Sequence, residues 1–290
     1  MMDINIEKIN CKTALNKLKR KIPYGWDLNI YRGCKNGCRY CYALYTHDYL
    51  GEDNFSKVFA KVNVAEQLDR ELSQPVWSRE VVNIGGVTDS YQEAEAEMKL
   101  MPDVLKVLIK HKTPAIISTK SDLILRDFDL IAELASITYI NVACTITTMD
   151  EDIRKRIEPN GSPSIDRFKV LAEFRKTNAS VGLHTMPIIP YLTDSHSNIE
   201  QLCSGASKAN VHYMLPGVLY LRGSTRKQFF DFILKDYPEK YEPLKQLYKT
   251  GGADRLYKEK LYNEVVNPLR NKYGISNSYI KPMREKLPKQ

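Results

Sequence analysis

Short apolar, β-branched segments alternate with amphipathic segments of helical periodicity through the middle of the chain. This alternation is typical of parallel βα units. The amphipathic segments predict helices at residues 63–72, 95–110, 164–176 and 197–209. The apolar segments predict six strands, at residues 28–31, 81–84, 115–118, 137–145, 180–186 and 211–215. Because this part spans about 200 residues, fewer than the roughly 250 of a complete eight-unit barrel, the pattern indicates an α/β fold built as an open or partial barrel.

The pattern changes to helix-rich sequence after residue 222. Apolar spacing there predicts helices at residues 225–234, 241–248 and 254–273. We therefore predict three parts of the chain: an N-terminal extension over residues 1–24, a barrel over residues 25–222 and a C-terminal helical appendage over residues 223–290.

Charge is distributed unevenly between these parts. Residues 1–220 carry 27 Lys and Arg against 27 Asp and Glu, whereas residues 221–290 carry 16 against 8, which accounts for the whole net charge of +8. A basic helical surface is either an ordinary solvated face or a binding surface for a phosphate-rich partner such as nucleic acid. The sequence leaves both interpretations open.

Composition and hydropathy narrow the class of protein. The chain is 43% hydrophobic with a mean hydropathy of −0.41, and it has no apolar stretch approaching the roughly 18 residues needed to cross a bilayer. Its first residues lack the pattern of a secretory signal. We therefore expect a cytoplasmic protein without membrane association, whose six cysteines are reduced. The sequence leaves the oligomeric state open.

Three of the cysteines lie in one short loop after the first predicted strand. Cys34, Cys38 and Cys41 have the spacing C-x3-C-x2-C, and two glycines let the loop bend so that its thiolates converge. Loops at the carboxyl ends of barrel strands carry the active sites of βα barrels. Two kinds of metal site fit this spacing: a structural zinc site completed by a ligand such as His47, or three ligands of a 4Fe-4S cluster whose fourth iron stays open.

The same loop, with the aromatic Tyr40 before its last cysteine, resembles the hallmark motif of the radical S-adenosylmethionine superfamily. Later segments resemble the spore photoproduct lyase branch of that superfamily. These segments are, in chain order, residues 118–120, 145–148, 157–159, 181–182 and 186–188. The fold that the resemblance implies is a partial (β/α)6 TIM-type barrel.

The resemblance implies an enzyme with two cofactors. Cys34, Cys38 and Cys41 would hold a 4Fe-4S cluster, and its open iron would bind S-adenosyl-L-methionine. An electron from a donor of the flavodoxin or ferredoxin type would cleave this cofactor to methionine and a 5′-deoxyadenosyl radical. The radical would then abstract a hydrogen atom from the substrate, so that the cofactors carry the difficult chemistry.

Roles for individual residues follow from the resemblance. Tyr40 would lie near the adenine of S-adenosylmethionine. Thr88 and Asp89 would meet the amino group of its methionine part, since a carboxylate beside an ammonium is favourable. Lys120 would face the methionine carboxylate, and Thr145 would hydrogen-bond the ribose or that carboxylate.

One position departs from the lyase pattern. Tyr42 matches a tyrosine of the lyase's radical relay and is the candidate catalytic residue, but Gly86 stands where the lyase carries the cysteine that returns a hydrogen atom to the product. An authentic spore photoproduct lyase is therefore not expected. The leading hypothesis is radical repair or modification of nucleic acid. The alternatives are radical modification of a peptide or small metabolite, and a non-catalytic module that binds metal or nucleic acid.

Overall fold

The computed structural model describes residues 6–19, 24–46 and 57–287, and its strands form two sheets. In chain order the strands are β1 (Ile6–Ile9), β2 (Leu15–Lys17), β3 (Trp26–Leu28), β4 (Tyr31–Arg32), β5 (Val58–Lys61), β6 (Val82–Ile84), β7 (Ala115–Thr119), β8 (Ile140–Thr145), β9 (Ser180–Ile188) and β10 (Tyr213–Val218). The larger sheet has the order β10-β9-β8-β7-β6-β3-β2, and the smaller sheet has the order β1-β5-β4.

Helices follow most of the strands. In chain order they are α1 (Ala43–Thr46), α2 (Val64–Leu72), α3 (Glu93–Met98), α4 (Met101–His111), a 3-10 helix (Asp122–Asp127), α5 (Phe128–Ile137), α6 (Glu151–Ile157), α7 (Ser164–Phe174), α8 (His196–Lys208), α9 (Gly223–Asp236), α10 (Pro238–Leu247), α11 (Arg255–Lys260), a π-helical turn (Leu261–Val266), α12 (Asn267–Lys272) and α13 (Ile280–Lys286). None of the helices in the described part of the chain is both long and apolar enough to span a membrane.

Six strands of the larger sheet, β3 and β6 to β10, run parallel to their neighbours, and β2 adds to β3 in the antiparallel direction. Helical segments connect the parallel strands from β6 onward. β2 and β10 are the two edge strands of this sheet. The predicted α/β fold with six barrel strands is therefore confirmed, in the partial form.

Alternation along the strands separates a core face from an inner face. On β8 the side chain of Cys144 is fully buried in the main hydrophobic core, whereas the next residue, Thr145, lines a pocket inside the barrel. On β9 the same holds for Leu183 in the core and His184 in the pocket. Because side chains of a strand alternate between faces, polar residues on the inner face need not disturb the aliphatic layer beneath the helices.

The first predicted strand is wrong in its boundaries. The strand expected at residues 28–31 ends at Leu28, and the chain enters the smaller sheet at Tyr31. The two residues between these strands make other hydrogen bonds. The side-chain oxygen of Asn29 accepts the Val87 N–H at 3.1 Å, and the carbonyl of Ile30 accepts the Lys61 N–H at 3.1 Å.

The segment predicted as one helix at residues 95–110 forms parts of two helices, α3 and α4. Lys99 between them has a φ of 49°, in the left-handed region. The buried carboxylate of Glu95 accepts the backbone N–H groups of Leu100 at 3.1 Å and Met101 at 3.0 Å, so it caps the second helix at the break. Arg126 pairs with the same carboxylate at 2.6 Å. A long-range contact thus overrides a continuous helical pattern.

The terminal parts pack against the barrel. The N-terminal strands β1 and β2 pair with β5 and β3. Helix α9 reaches the cysteine loop, where the Thr225 hydroxyl donates to the carbonyl of Cys41 at 2.8 Å. At another place Met283 and Leu287, at the chain's end, pack against Tyr139 and its apolar neighbours. The boundaries proposed for the three parts stay a prediction.

Substitution of Gly182 by alanine should destabilise the barrel. A Cβ on this residue of β9 would overlap the ring of Tyr213, which is buried and donates a hydrogen bond to Asn141 Oδ1 at 2.9 Å. We expect the free energy of unfolding in urea to fall by about 1–3 kcal/mol, the usual cost of overpacking. Gly252→Ala is the control, because its Cβ would lie 3.6 Å from the nearest ring atom of Tyr220. Equal stability of the two variants would contradict this packing.

Candidate active site

A pocket of about 510 Å³ lies where the carboxyl ends of the barrel strands meet the cysteine loop. All nine residues that the sequence singled out for the site line this one pocket. They are Cys34, Cys38, Tyr40, Cys41, Tyr42, Thr88, Asp89, Lys120 and Thr145. The fold therefore brings together groups that are more than a hundred residues apart in the chain, although their individual roles stay predictions.

The cysteine loop bends at two glycines. Gly33 has a φ of 79° and Gly37 a φ of 63°, values that favour glycine over other residues. Burial raises the pKa of the Cys34 thiol to about 12, and it also raises the pKa values of Cys38 and Cys41. The three thiols, of which Cys38 is buried and the other two are half-buried, are therefore neutral on their own. A bound metal cation would favour their thiolate forms.

The donor set fits a cluster with an open position. Three thiols on one bent loop supply three of the four ligands that a cubane cluster normally takes from protein. Among the described residues, no group of three His, Cys, Asp or Glu side chains is arranged to hold a metal ion. Cluster thiolates bind different irons and so need not converge on one point. His47, the ligand considered for a zinc site, lies outside the described residues.

A short segment that starts at the last residue of α6, residues 157–161, holds the cysteine loop in place; we call it the clamp segment. Its Ile157 carbonyl accepts the N–H of Arg39 at 2.9 Å. The side-chain amide of Asn160 donates to the carbonyl of Lys35 at 2.6 Å. The loop that carries the three thiols is therefore fixed from the barrel side as well as by its own turns.

Glu158 in the clamp segment is the centre of a buried polar cluster. It pairs with Arg167 at 2.5 Å, with both side chains 0% exposed, and it accepts a hydrogen bond from the hydroxyl of Tyr40. Burial alone would raise the pKa of Glu158, but the charges of Arg167 and Lys120 hold it below its ordinary value. Glu158 is thus a carboxylate that orients the ring of Tyr40.

Arg167 has a role that the sequence analysis missed. It lies on α7 among residues that face the core, at a position where helical periodicity calls for an apolar side chain. Its guanidinium donates to the carbonyl of Thr145 at 2.8 Å as well as to Glu158. The sequence does contain a sign of this role, because a charged residue stands at a position where the helical pattern of α7 is otherwise apolar.

Lys120 supplies a positive charge inside the pocket. Its ammonium lies 5.8 Å from the centre of the Tyr40 ring. Burial alone would lower the pKa of Lys120, but negative charge nearby, that of Cys38 in its thiolate form and of the carboxylates of Glu158 and Asp89, raises it above the ordinary value. A protonated lysine on the inner face suits an anionic group of a ligand, as the resemblance implies for a carboxylate.

The carboxylate of Asp89 already has protein partners. It accepts hydrogen bonds from the Asn36 amide at 2.9 Å, the Thr119 hydroxyl at 2.7 Å, the Lys120 N–H at 2.8 Å and the Tyr91 N–H at 3.0 Å. A carboxylate has about four acceptor sites. Asp89 therefore braces the cysteine loop against two strand ends, and its predicted contact with an ammonium group stays a prediction.

The neighbouring Thr88 and Gln92 also hold the cysteine loop. The Thr88 hydroxyl donates to the carbonyl of Gly33 at 2.7 Å, and the Gln92 amide donates to the same carbonyl at 3.2 Å. Gln92 Oε1 accepts the N–H of Lys35 at 2.8 Å. Gln92 was missed by the sequence analysis, because a glutamine at the start of a helix gives no signal of a loop contact.

Gly86 has no room for a side chain. A Cβ there would lie 2.8 Å from Asp27 Oδ2 and 3.0 Å from Asn83 Nδ2, and these two side chains are hydrogen-bonded to each other at 2.8 Å. The hydroxyl of Tyr42 donates to the Gly86 carbonyl. The missing cysteine therefore has a packing reason, since the Asp27–Asn83 pair occupies the space beside this position.

His184 adds a neutral polar group to the inner face. Its Nε2 lies 3.3 Å from the hydroxyl of Tyr213. Burial, together with the charge of Lys120, lowers the pKa of His184 to about 4. The imidazole is thus uncharged at neutral pH and can donate and accept one hydrogen bond each.

Comparison with known proteins agrees with this site. The family model of the radical SAM superfamily matches residues 28–203. An uncharacterized protein of Mycobacterium tuberculosis is 35% identical over 284 residues, covering 95% of this chain and 83% of the relative. An uncharacterized protein of Methanocaldococcus jannaschii is 30% identical over 270 residues, covering 93% of this chain and 95% of the relative. The chain therefore belongs to the radical SAM superfamily, and it is a radical SAM enzyme.

Solved structures of spore photoproduct lyase share the fold. A variant of that lyase superposes with a TM-score of 0.70 at 12% identity, covering 93% of this chain and 79% of the lyase. The lyase complexed with dinucleoside spore photoproduct superposes with a TM-score of 0.68 at 11% identity, with the same coverage of 93% and 79%. At such identities the likeness is one of fold.

Replacement of Glu158 by glutamine should loosen the cysteine loop. The change leaves the charge of buried Arg167 unpaired, so we expect the free energy of unfolding to fall by about 3–5 kcal/mol. Iron retained after anaerobic reconstitution should fall as well. Tyr40→Phe is the milder variant, expected to cost about 1–3 kcal/mol, because it removes one buried hydrogen bond. Asp103→Asn is the control, since Asp103 pairs with Lys106 on the exposed surface. Wild-type stability and iron content in Glu158→Gln would contradict the role of this residue.

Proposed function

We propose that Cys34, Cys38 and Cys41 bind one 4Fe-4S cluster and that the protein uses it on S-adenosyl-L-methionine. The observation that carries the proposal is that three thiols, one buried and two half-buried, line one pocket together with the cation of Lys120. When bound, the cluster supplies the electron that cleaves S-adenosylmethionine to methionine and a 5′-deoxyadenosyl radical, which takes a hydrogen atom from the substrate. A flavodoxin or ferredoxin is the class of reductant that we propose.

The chain's own residues bind and orient the second cofactor in this proposal. The ammonium of Lys120 holds the methionine carboxylate, and Thr145, on the neighbouring strand end, donates a hydrogen bond to the ribose or to that carboxylate. Tyr40, oriented by Glu158, lies along the adenine. Thr88 and Asp89 contribute chiefly by fixing the loop, because their side chains are hydrogen-bonded within it.

Tyr42 is the proposed catalytic residue. Its side chain lines the pocket, about half of the residue is exposed, and its hydroxyl donates to the carbonyl of Gly86. This is the position at which spore photoproduct lyase carries a cysteine. A phenolic O–H beside that position can give a hydrogen atom to a substrate radical, with the phenoxyl radical as the other product.

We propose nucleic acid as the substrate class, for repair or modification. The basic C-terminal part begins next to the pocket: Leu219 and Tyr220 line it, and exposed Arg222 and Lys227 lie at the start of the helix that comes next in the chain. The cation of Arg222 lies 5.7 Å from the ring centre of Tyr45, beside the cysteine loop. Cations at a pocket mouth attract a phosphate backbone. Spore photoproduct lyase, which has the same fold, binds a dinucleoside photoproduct.

Formation of 5′-deoxyadenosine tests the chemistry and the substrate class together. We expect reduced, anaerobically reconstituted protein to form it from S-adenosylmethionine, with stimulation by irradiated DNA, unirradiated DNA or RNA rather than by a peptide extract. Cys38→Ala should abolish the product, whereas Cys203→Ala should not, because Cys203 is buried in the core away from the pocket. Stimulation by the peptide extract alone would indicate that the substrate is a peptide and would contradict the proposed substrate class. A colourless protein with stoichiometric zinc and no product would support the non-catalytic module.

Neutralising exposed cations at the start of α9, which follows the pocket residue Tyr220 in the chain, should weaken nucleic-acid binding in a salt-dependent way. For the double variant Arg222→Gln and Lys227→Gln, the slope of log K against log salt should become shallower by about 1.4 to 1.8 if each cation contacts one phosphate. Lys106→Gln with Lys169→Gln is the matched control, since these exposed lysines lie on α4 and α7. Filter binding of an oligonucleotide at several salt concentrations gives the slopes. An unchanged slope in the first variant would contradict a phosphate contact here.

A further inference from the structure

Tyr220 is an exposed aromatic residue at the pocket. It follows β10 and lines the pocket, yet 59% of its surface is accessible to solvent. Of the large apolar and aromatic residues that line the pocket, Tyr42 and Met186 are also exposed, at 49% and 40%. Tyr220 is the most exposed of the three. A large ring left open beside a cavity can contact a ligand in that cavity through its π-face.

Two glycines support this ring from one side. A Cβ on Gly251 would lie 2.9 Å from both Cζ and Oη of Tyr220 and 3.0 Å from the carbonyl of Leu221, so a side chain at position 251 would force the end of the ring to shift. The neighbouring Gly252 is less close, with 3.6 Å between its Cβ and the nearest ring atom. The glycine pair therefore forms a backbone shelf for the ring.

The shelf itself is fixed to the barrel. The N–H of Leu221 donates to the carbonyl of Gly251 at 2.7 Å, and Tyr220 forms an isolated antiparallel bridge with Gly252. Tyr248, buried nearby, donates to the carbonyl of Leu219 at 2.9 Å. The ring is thus held against a backbone that has little freedom, and little conformational entropy would be lost when a ligand contacts it.

An exposed ring in a fixed position can recognise another ring. The π-face of a tyrosine stacks on planar aromatic groups, and such contacts with nucleobases tolerate different base identities. Arg222, two residues further on, is exposed and can meet an anionic group next to such a base. An aromatic residue at the pocket followed by an exposed cation two residues later is a combination that suits a base and its phosphate.

We propose that Tyr220 is a substrate-stacking residue that holds one nucleobase at the mouth of the pocket, with its ring placed for this by Gly251. The proposal rests on the proposed function, because it takes nucleic acid as the substrate class. It adds a contact with the base itself, which phosphate-binding cations do not provide.

The direct test compares a dinucleotide with an abasic dinucleotide of the same charge. Binding to the anaerobically reconstituted protein is measured by equilibrium dialysis. We expect Tyr220→Ala to weaken binding of the dinucleotide about tenfold, within the range for loss of one stacked base, and to leave the abasic affinity unchanged. Tyr220→Phe should bind as the wild type, since it keeps the π-face.

The two glycines provide a matched pair that leaves Tyr220 in the chain. Gly251→Ala would push the end of the ring out of its place, and it should weaken dinucleotide binding in the same direction as Tyr220→Ala but by less, because the ring remains. Gly252→Ala adds an ordinary van der Waals contact and should bind as the wild type. Melting followed by circular dichroism shows whether either variant has lost stability. A residue with a merely structural role would lower the stability and weaken binding of the base-containing and the abasic ligand alike.

The outcomes separate the two proposals. A base-dependent loss in Tyr220→Ala and Gly251→Ala supports stacking. Equal affinity of the wild type for base-containing and abasic ligands, or unchanged binding by Tyr220→Ala, overturns the stacking proposal and leaves nucleic acid as a substrate class. A wild-type protein that binds neither dinucleotide, nor any longer oligonucleotide, overturns the proposed substrate and the stacking proposal with it.

Discussion

The buried ion pair between Glu158 and Arg167 is the contact on which the site depends. Glu158 accepts from Tyr40, two residues after Cys38 and directly before Cys41, so one buried carboxylate connects the barrel to the loop that carries the thiols. An unpaired charge in such a place is very unfavourable. Arg167 makes the carboxylate tolerable, and its second bond to Thr145 joins the pair to the end of β8.

A second buried carboxylate, Asp89, lies after β6 and connects the same loop to the end of β7. It binds Asn36 in the loop and the Thr119–Lys120 strand end at once. Two acidic residues thus fix the loop, while Lys120 remains the cation directed at the pocket. The pocket can therefore present a positive charge to a ligand although it contains carboxylates. The carboxylates are already paired or hydrogen-bonded within the protein.

Much of the fold, and many of the residues that line the site, can be predicted from patterns within short stretches of sequence. β-branched segments predict the barrel strands from β6 onward, and the cysteine spacing locates the loop, because both signals depend on residues close together in the chain. The break at Lys99 could not be predicted, since it depends on Glu95 reaching backbone groups beyond the helix end. Arg167 and Gly251 were missed for a related reason: their meaning lies in partners that only the folded chain brings near.

The central claim is that the cysteine loop holds a cluster with an open iron. The most direct measurement is the electron paramagnetic resonance spectrum of reduced, anaerobically reconstituted protein, before and after addition of S-adenosylmethionine. The account predicts a 4Fe-4S signal that changes on addition, because the open iron gains ligands, and that is absent in Cys38→Ala. A cluster signal unaffected by S-adenosylmethionine, or one that persists in Cys38→Ala, would contradict the account.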